Sequence, residues 1–348
     1  GRKVCADQII GITEMKIVAL IDQEAFHPED PQLSGATEAI CREMEFHVVE
    51  ALRLLGHEVE VLPFGPDVEQ TIRRLRDISP GLVFNLTEHF RGDRRMDASI
   101  AGLLDLLGIP YTGTGPDGMI LCRDKATCKR ILGHHHIRVP AFATVPRGRR
   151  RCPRQVGFPM VVKPQYEDGS DGISLASLVH NEQQAYERIA LIHNRLSQPA
   201  ICEQFVSGRE IYVGIIGNRR LYTFPPRELF FGRSGGEGPL IATARVKRDA
   251  AYRRKWQITY GNADLSPALM QQVQRISKRI YRILHLRDYG RIDLRIADTG
   301  EIVFLEANPN PDLSYGEDLA EAAQQAGIEH PELVRRIVNL ALSRYAES

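Results

Sequence analysis

Two neighbouring segments near the C-terminus, 291–295 and 302–310, carry ionisable or amide side chains at alternate positions, a spacing that can build a metal site. Those side chains are Arg291 and Asp293 in the first segment, and Glu306 and Asn308 in the second. Alternate residues of a strand share a face, and Asp298-Thr299-Gly300 suits a hairpin turn between the two runs. Pairing would bring together three oxygen ligands and a cation, a set suited to Mg²⁺ that bridges nucleotide phosphates. A hairpin with a solvated charged face is the alternative.

A lysine followed by a loop of small residues predicts a phosphate-binding segment. Val161-Val162-Lys163-Pro164 ends a strand-like run, and the loop 167–174 that follows is rich in Gly, Ser and Asp and includes Ser170. Small residues let backbone N–H groups approach phosphate oxygens, and the lysine adds a point charge. The loop matches neither the Walker pattern nor Gly-x-Gly-x-x-Gly. Because no Gly-x-Gly-x-x-Gly follows the first strand either, an NAD-dependent dehydrogenase is disfavoured. A surface hairpin is the alternative.

Two further segments complete a candidate nucleotide site. Lys125 opens a helical pattern. Residues 200–214 are typical of a strand, a turn and a second strand. That arrangement can present Glu203 and the backbone at Phe205-Val206 to an adenine edge, and Glu210 to a ribose hydroxyl.

In this order, the motifs resemble those of the ATP-grasp superfamily, and within it the D-alanine–D-alanine ligase group. The segment Leu106-Leu107-Gly108-Ile109-Pro110-Tyr111-Thr112-Gly113-Thr114-Gly115, which runs on to Asp124-Lys125, is very close to that group's pattern. The resemblance covers roughly residues 80 to 315, and the ordered set is far more specific than any single motif.

The resemblance implies an ATP-dependent carboxylate–amine ligase that releases ADP. Transfer of the γ-phosphoryl group to a carboxylate would give an acylphosphate, and an amine would then displace phosphate. Such transfer needs positioning and charge neutralisation more than covalent help from the protein. The implied phosphate contacts are Lys125, Lys163, the backbone around Ser170, and Lys255. The implied ligands of two Mg²⁺ ions, with Mn²⁺ as an alternative, are Asp293, Glu306 and Asn308. Arg291 would stabilise negative charge on the acylphosphate.

The chain departs from this group on the side that would bind amino acids. Asp312 stands where a glycine is expected, and Ser314 follows it. The group's His-Gly segment is replaced by residues 85–93, which include Glu88, His89 and Arg91. Because residues 88–91 follow a strand end, where open α/β sheets place their ligands, they are candidates for recognising the amino or carboxyl end of the substrate. A solvated loop of charged residues is the alternative. The substrate is then amino-acid-like or a peptide, rather than two D-alanines. A divergent D-alanine–D-alanine ligase and a non-catalytic ATP-binding module are the alternatives.

The periodicity predicts an α/β protein with a three-domain ATP-grasp architecture. Strands at 15–22, 59–62 and 82–86 alternate with helices at 36–55 and 68–77, which indicates a parallel sheet in an N-terminal domain. We expect this domain over 15–120, a central ATP-grasp subdomain over 121–200, and a C-terminal α+β subdomain over 201–348 with closing helices at 267–285 and 331–345. Residues 1–14 are expected to be an extension ahead of a natural start at Met15, and not a secretory signal.

Composition limits the classes of partner and the cellular compartment that we expect. A formal net charge of +1 supplies no general field for nucleic acid, and no apolar run approaches the ~20 residues that span a bilayer. The six cysteines contain no Cys-x-x-Cys pair, which favours a reducing cytoplasm. We therefore expect small-molecule partners, no nucleic acid and no membrane. The resemblance also implies a homodimer formed through the N-terminal unit.

Overall fold

The computed structural model describes residues 14–23, 44–149, 151–167, 172–232 and 240–346. The chain forms two compact units, Gly1–Gly113 with Asp312–Ser348, and Thr114–Pro311. Residues 1–13 of the expected extension and the predicted start of a helix at 36 lie outside the described residues. Among the described residues, no helix combines the length and the apolar character needed to cross a bilayer.

The first unit is built on a parallel sheet, as the sequence predicts. Its strands are β1 (Lys16–Asp22), β2 (Glu58–Phe64) and β3 (Leu82–Asn85), in the order β2-β1-β3. Its helices are α1 (Met44–Leu54), α2 (Val68–Ile78), α3 (Asp97–Leu107), α10 (Asp318–Gln325) and α11 (His330–Ala346). Residues 17–21 of the central strand are fully buried, which explains its unbroken apolar run. Parallel strands end at one edge, so Asp22 and Asn85 close neighbouring strands on the same side.

The second unit contains two antiparallel sheets. The smaller has the order β4-β7-β5-β6, from β4 (Phe142–Val145), β5 (Met160–Pro164), β6 (Leu178–Val179) and β7 (Ala200–Gln204). The larger has the order β11-β10-β8-β12-β13, with β9 paired to β8. Its strands are β8 (Gly208–Ile216), β9 (Tyr222–Thr223), β10 (Arg227–Phe230), β11 (Thr259–Asn262), β12 (Tyr289–Ala297) and β13 (Ile302–Pro309). The helices of this unit are α4 (Pro116–Arg123), α5 (Lys125–His134), α6 (Glu182–Arg195), α7 (Ala244–Arg248), α8 (Ala250–Lys255) and α9 (Pro267–Ile283).

The β12–β13 hairpin carries the register that positions the predicted metal ligands. Arg291 pairs with Asn308, and Asp293 pairs with Glu306. The next pair is Leu294 with Phe304, so the register shifts and Leu305 is the extra residue of a β-bulge. Bulges of this kind often occur beside active sites, where they change the direction of a side chain.

The close approach of β8 to β12 requires a glycine at the start of β8. Gly208 has a φ of +134°, and a Cβ there would lie 2.1 Å from the carbonyl oxygen of Ile296. Any other residue at this position would therefore separate the two strands.

The observed units place the C-terminal segment differently from the predicted division. Residues 312–348 belong to the first unit, whereas the sequence assigns them to the C-terminal subdomain. The reason is that α11 packs on α1 and on β3. The predicted boundary near residue 200 falls inside the second unit and stays a prediction.

Candidate active site

The hairpin brings the predicted metal ligands together on one buried face. The guanidinium of Arg291 contacts both oxygens of Asp293, at 2.8 and 3.0 Å. The side-chain amide of Asn308 donates to Asp293 Oδ2 at 3.0 Å. Glu306 faces Asp293 across the strand pair. Alternation along the strands, which the sequence shows, is thus sufficient to assemble this group.

The two carboxylates differ in their electrostatic surroundings. Burial raises the pKa of Asp293, and Arg291 only partly offsets this effect. Burial also acts to raise the pKa of Glu306, but Lys125 and Lys163 outweigh it and lower the pKa. The Lys125 ammonium lies 2.8 Å from Glu306 Oε1 and also donates to the carbonyl of Glu167. Glu306 is therefore held ionised, the state that a metal ligand needs.

The ligand set fits a hard cation that takes its remaining ligands from elsewhere. Within the described part of the chain, no group of three or more His, Cys, Asp and Glu side chains could hold a metal. Two carboxylates with an amide are instead the partial set that Mg²⁺ uses when phosphate and water oxygens complete its shell.

A cavity in the second unit joins this hairpin to the nucleotide-side residues. Its charged and polar lining residues are Lys163, Glu203, Gln204, Glu210, Lys247, Asp293, Arg295 and Glu306. Its apolar lining includes Val161, Ile173, Phe205, Val206, Ile241 and Leu305. The smaller sheet contributes Lys163 and Glu203, whose charged groups lie 3.1 Å apart, and the larger sheet contributes the hairpin. An apolar slot with charges at one end suits a flat base attached to phosphates.

Glu210 is held by an arginine that the sequence analysis missed. Arg295 forms an ion pair with Glu210 and donates to the carbonyl of Val206 at 3.0 Å. Its guanidinium lies 5.6 Å from the centre of the Phe205 ring. Tyr212 also donates to Glu210, at 2.8 Å. Arg295 stands two residues after Asp293, so strand alternation already places it on the metal-site face and could have identified it.

One of the predicted phosphate-binding lysines, Lys255, does not line the cavity. Lys255 is exposed at the end of α8, with its ammonium 5.1 Å from the Trp256 ring centre, and it is not among the described residues that line the cavity. Lys247, on the preceding helix, lines the cavity, and its charge acts on Asp293 and Glu306. The basic run 245–255 gives no sequence signal for which lysine faces inward. Ser170 lies outside the described residues.

We expect a different effect from each of these two lysines. Lys247→Met should raise the KM for ATP about 10-fold, because one charge-assisted contact to phosphate contributes roughly 1.5–3 kcal/mol. Lys255→Met, the matched control, should change that KM less than about twofold. Steady-state kinetics at varied ATP measure both. If Lys255→Met raised the KM for ATP more than Lys247→Met did, Lys255 and not Lys247 would contact the nucleotide.

In the first unit, the predicted substrate residues surround a buried carboxylate at the carboxyl edge of the sheet. Asp22 accepts from the backbone N–H of Glu88 at 3.0 Å and of His89 at 3.4 Å. The His89 ring lies 3.5 Å from the same carboxylate. Glu88 is paired with Arg94 at 3.0 Å. Asp22, which the sequence analysis did not single out, ends the first strand, the position where such sheets present ligand groups.

The other predicted substrate residues make local contacts. Arg91 donates to the Pro66 carbonyl at 3.2 Å. Asp312 Oδ1 accepts from the backbone N–H of Ser314 at 2.7 Å and from its hydroxyl at 2.6 Å. Among the described residues, the buried amide nitrogen of Asn85 and Nδ1 of His89 have no hydrogen-bond partner. Buried polar atoms are normally hydrogen-bonded, so these two are exceptions.

The buried Asp22 predicts a pH-dependent stability. Burial raises its pKa to about 6, although the backbone N–H of Glu88 and the charge of His89 oppose the rise. The folded state therefore binds the proton more tightly than the unfolded chain, so stability falls as the pH rises from about 4 to about 6. Asp22→Asn should raise Tm at pH 7.5 by a few degrees, for a gain of roughly 1–3 kcal/mol, and should have little effect at pH 4. Thermal unfolding at both pH values tests this, with the exposed Asp77→Asn as control; an equal effect at both would contradict it.

Comparison with known proteins agrees with the geometry. The family model "D-ala D-ala ligase C-terminus" matches residues 137–339. A D-alanine–D-alanine ligase of Desulforudis audaxviator is 30% identical, over 85% of this chain and 92% of its own. An uncharacterised protein of Sinorhizobium fredii, y4sG, is 32% identical, over 86% of this chain and 87% of its own. In fold, the chain is similar to the crystal structure of a Bacillus anthracis D-alanine–D-alanine ligase complexed with ATP, with a TM-score of 0.74 and 19% identity over 96% of this chain and 99% of the other.

The fold, together with the family model and the sequence relatives, thus defines an ATP-grasp enzyme, as the sequence predicts. The chain belongs to the D-alanine–D-alanine ligase family. It is an ATP-dependent, ADP-forming ligase that makes an amide bond.

Proposed function

We propose that this ligase forms an amide bond between amino-acid-like or peptide substrates, a carboxylate and an amine, and that this pair is not two D-alanines. The observation that carries the ATP-dependent part of the proposal is the cavity lined by Lys163, Glu203, Asp293 and Glu306. On the other side of the reaction, the chain has Asp312 where its family has glycine, and Asp22 beside His89. The nucleotide side therefore follows the family, and the amino-acid side departs from it.

In the proposed reaction, a carboxylate oxygen attacks the γ-phosphorus of ATP and ADP leaves. The amine nitrogen then attacks the acyl carbon, and phosphate leaves with the former carboxylate oxygen. Lys125, Lys163 and the backbone near Ser170 bind phosphates, and Arg291 neutralises charge that develops on the acylphosphate. Asp293, Glu306 and Asn308 would hold two Mg²⁺ ions, with Mn²⁺ as a substitute, and these supply charge neutralisation at the phosphoryl oxygens.

For nucleoside binding, we assign the adenine edge to Glu203 and to the backbone of Phe205 and Val206, and the ribose hydroxyls to Glu210. In the present structure Arg295 and Tyr212 contact Glu210, and a carboxylate has enough lone pairs to accept a hydroxyl as well.

For substrate recognition, we assign the groups at the carboxyl edge of the first sheet, with those around Asp312. The residues are Glu88, His89, Arg91, Asp312 and Ser314. The unpartnered Asn85 amide supports this assignment, because it can donate to a substrate oxygen, while the Asp22 carboxylate can accept from an ammonium. A substrate with both an amino group and a carbonyl or carboxylate fits this pair.

Three coarser expectations accompany the proposal. They are a homodimer formed through the N-terminal unit, action in the cytoplasm, and the three-domain division with boundaries near 120 and 200. Sedimentation of the purified chain tests the first, and cell fractionation the second.

The assay measures ADP and phosphate release with Mg-ATP against a panel of L- and D-amino acids and short peptides. Release with one acid–amine pair, together with the condensed product by mass spectrometry, supports the proposal. Release with D-alanine alone would favour a divergent cell-wall enzyme. Tight ATP binding without turnover across a panel that includes longer peptides would favour a non-catalytic module.

A further inference from the structure

Lys129 is a buried lysine beside the nucleotide cavity, whose lining includes its contacts Glu203 and Leu305. The reaction chemistry assigns Lys129 no role. It lies on α5, one turn after Lys125, and its side chain is 1% exposed. Burial of an ammonium is costly unless it is paired and hydrogen-bonded. Its Nζ lies 3.1 Å from Glu203 Oε1 and donates to the carbonyl of Leu305 at 2.6 Å. The Phe304 ring centre lies 5.3 Å away.

The contact with Leu305 satisfies a backbone group that the β-bulge leaves out of the strand ladder. The register passes from Glu306 directly to Phe304, so Leu305 has no opposite residue on β12. The Lys129 ammonium instead donates a hydrogen bond to the Leu305 carbonyl. Leu305 lines the cavity, and Glu306 follows it. This hydrogen bond fixes the position of the ammonium relative to the hairpin.

The contact with Glu203 fixes a carboxylate that faces the same cavity. Glu203 has one oxygen 3.1 Å from Lys129 and the other 3.1 Å from Lys163. Burial would raise the pKa of Glu203, but the two lysines outweigh it and lower the pKa. An ionised carboxylate only accepts hydrogen bonds, so Glu203 selects a base edge that donates.

We propose that Lys129 is a positioning residue that sets base selection, by holding Glu203 ionised and oriented as the acceptor for an exocyclic amino group. This inference rests on the proposed placement of the base beside Glu203. ATP carries an amino group at C6 of its base, and ITP carries a carbonyl there. The two share the same phosphates, so their ratio of affinities isolates the base contact.

The test compares Kd values for ATP and ITP in the full chain, measured by calorimetry with Mg²⁺ and without acceptor substrates. Lys129→Met keeps an unbranched side chain of similar length and removes the charge. We expect ATP to bind about 10-fold more weakly and ITP to change less than about threefold, because only ATP uses the oriented carboxylate. Lys278→Met on α9, the control, should leave both Kd values unchanged.

A second pair of variants separates positioning from general damage. Glu203→Gln should lower the ATP-to-ITP preference by itself, and adding Lys129→Met to it should lower the preference no further, since both act through one carboxylate. Equal weakening of ATP and ITP by Lys129→Met, or an unchanged preference in a folded variant, would overturn the inference. If Lys129→Met does not unfold cooperatively, Lys129→Gln, which keeps a donor for Leu305, takes its place under the same criteria. Wild-type protein that binds neither nucleotide would refute the nucleotide cavity itself.

Discussion

Replacement of Glu306 by glutamine should abolish turnover while leaving most of the nucleotide affinity. Glu306 faces Asp293 across the hairpin and is held ionised by Lys125, 2.8 Å away. Glutamine keeps the volume of the side chain but removes the charge that a bridging cation needs. Because such a cation neutralises charge mainly in the transition state, we expect a loss of at least ~10³-fold in kcat. The Kd for ATP should change less than about fivefold, since the base and ribose contacts remain.

Single-turnover phosphate release and ATP calorimetry measure the two quantities on the same sample. Glu301→Gln, an exposed glutamate at the turn of the same hairpin, serves as the control and should behave as wild type. Turnover within tenfold of wild type in Glu306→Gln would remove Glu306 from the metal site. A loss of ATP affinity with kcat unchanged would instead indicate that Glu306 binds substrate and transition state alike.

The parts of the site that the sequence predicts are those set by local periodicity. Alternation along two strands places Arg291 with Asp293 and Glu306 with Asn308, and the observed register agrees. The parallel sheet of the first unit follows in the same way from alternating apolar strands and amphipathic helices. These features depend on spacing within one element and on the turn that joins two neighbours.

The parts that the sequence analysis missed depend on contacts between distant segments. Lys129 meets a carbonyl 176 positions away, and its spacing from Lys125 shows only that the two share a helix face. The bulge at Leu305 lies at the end of the continuous apolar run 302–305, where there is no apolar and polar alternation that an extra residue could interrupt. The inward faces of the short basic helices α7 and α8 are equally hidden in the sequence, so the resemblance points to Lys255 whereas Lys247 lines the cavity.

Replacement of Lys163 should weaken ATP and ITP alike, whereas replacement of Lys129 should weaken ATP selectively, although both lysines contact Glu203. Lys163 ends β5 and lines the cavity, whereas Lys129 is enclosed and reaches the cavity only through its partners. We assign Lys163 to the phosphates, which ATP and ITP have in common. Lys163→Met should therefore weaken both nucleotides, by about 100-fold, because a buried charge-assisted contact to a polyanion contributes more than a surface one.

The measurement is the same calorimetric pair of Kd values, with Lys278→Met as the control. A loss confined to ATP would show that Lys163 acts through Glu203 on the base and not through the phosphates. Suppose that Lys163→Met weakens both nucleotides and that Lys129→Met weakens ATP alone. The two oxygens of the Glu203 carboxylate would then serve two different functions. The Oε2 side would then neighbour the phosphate-binding lysine, and the Oε1 side the lysine that orients the carboxylate toward the base.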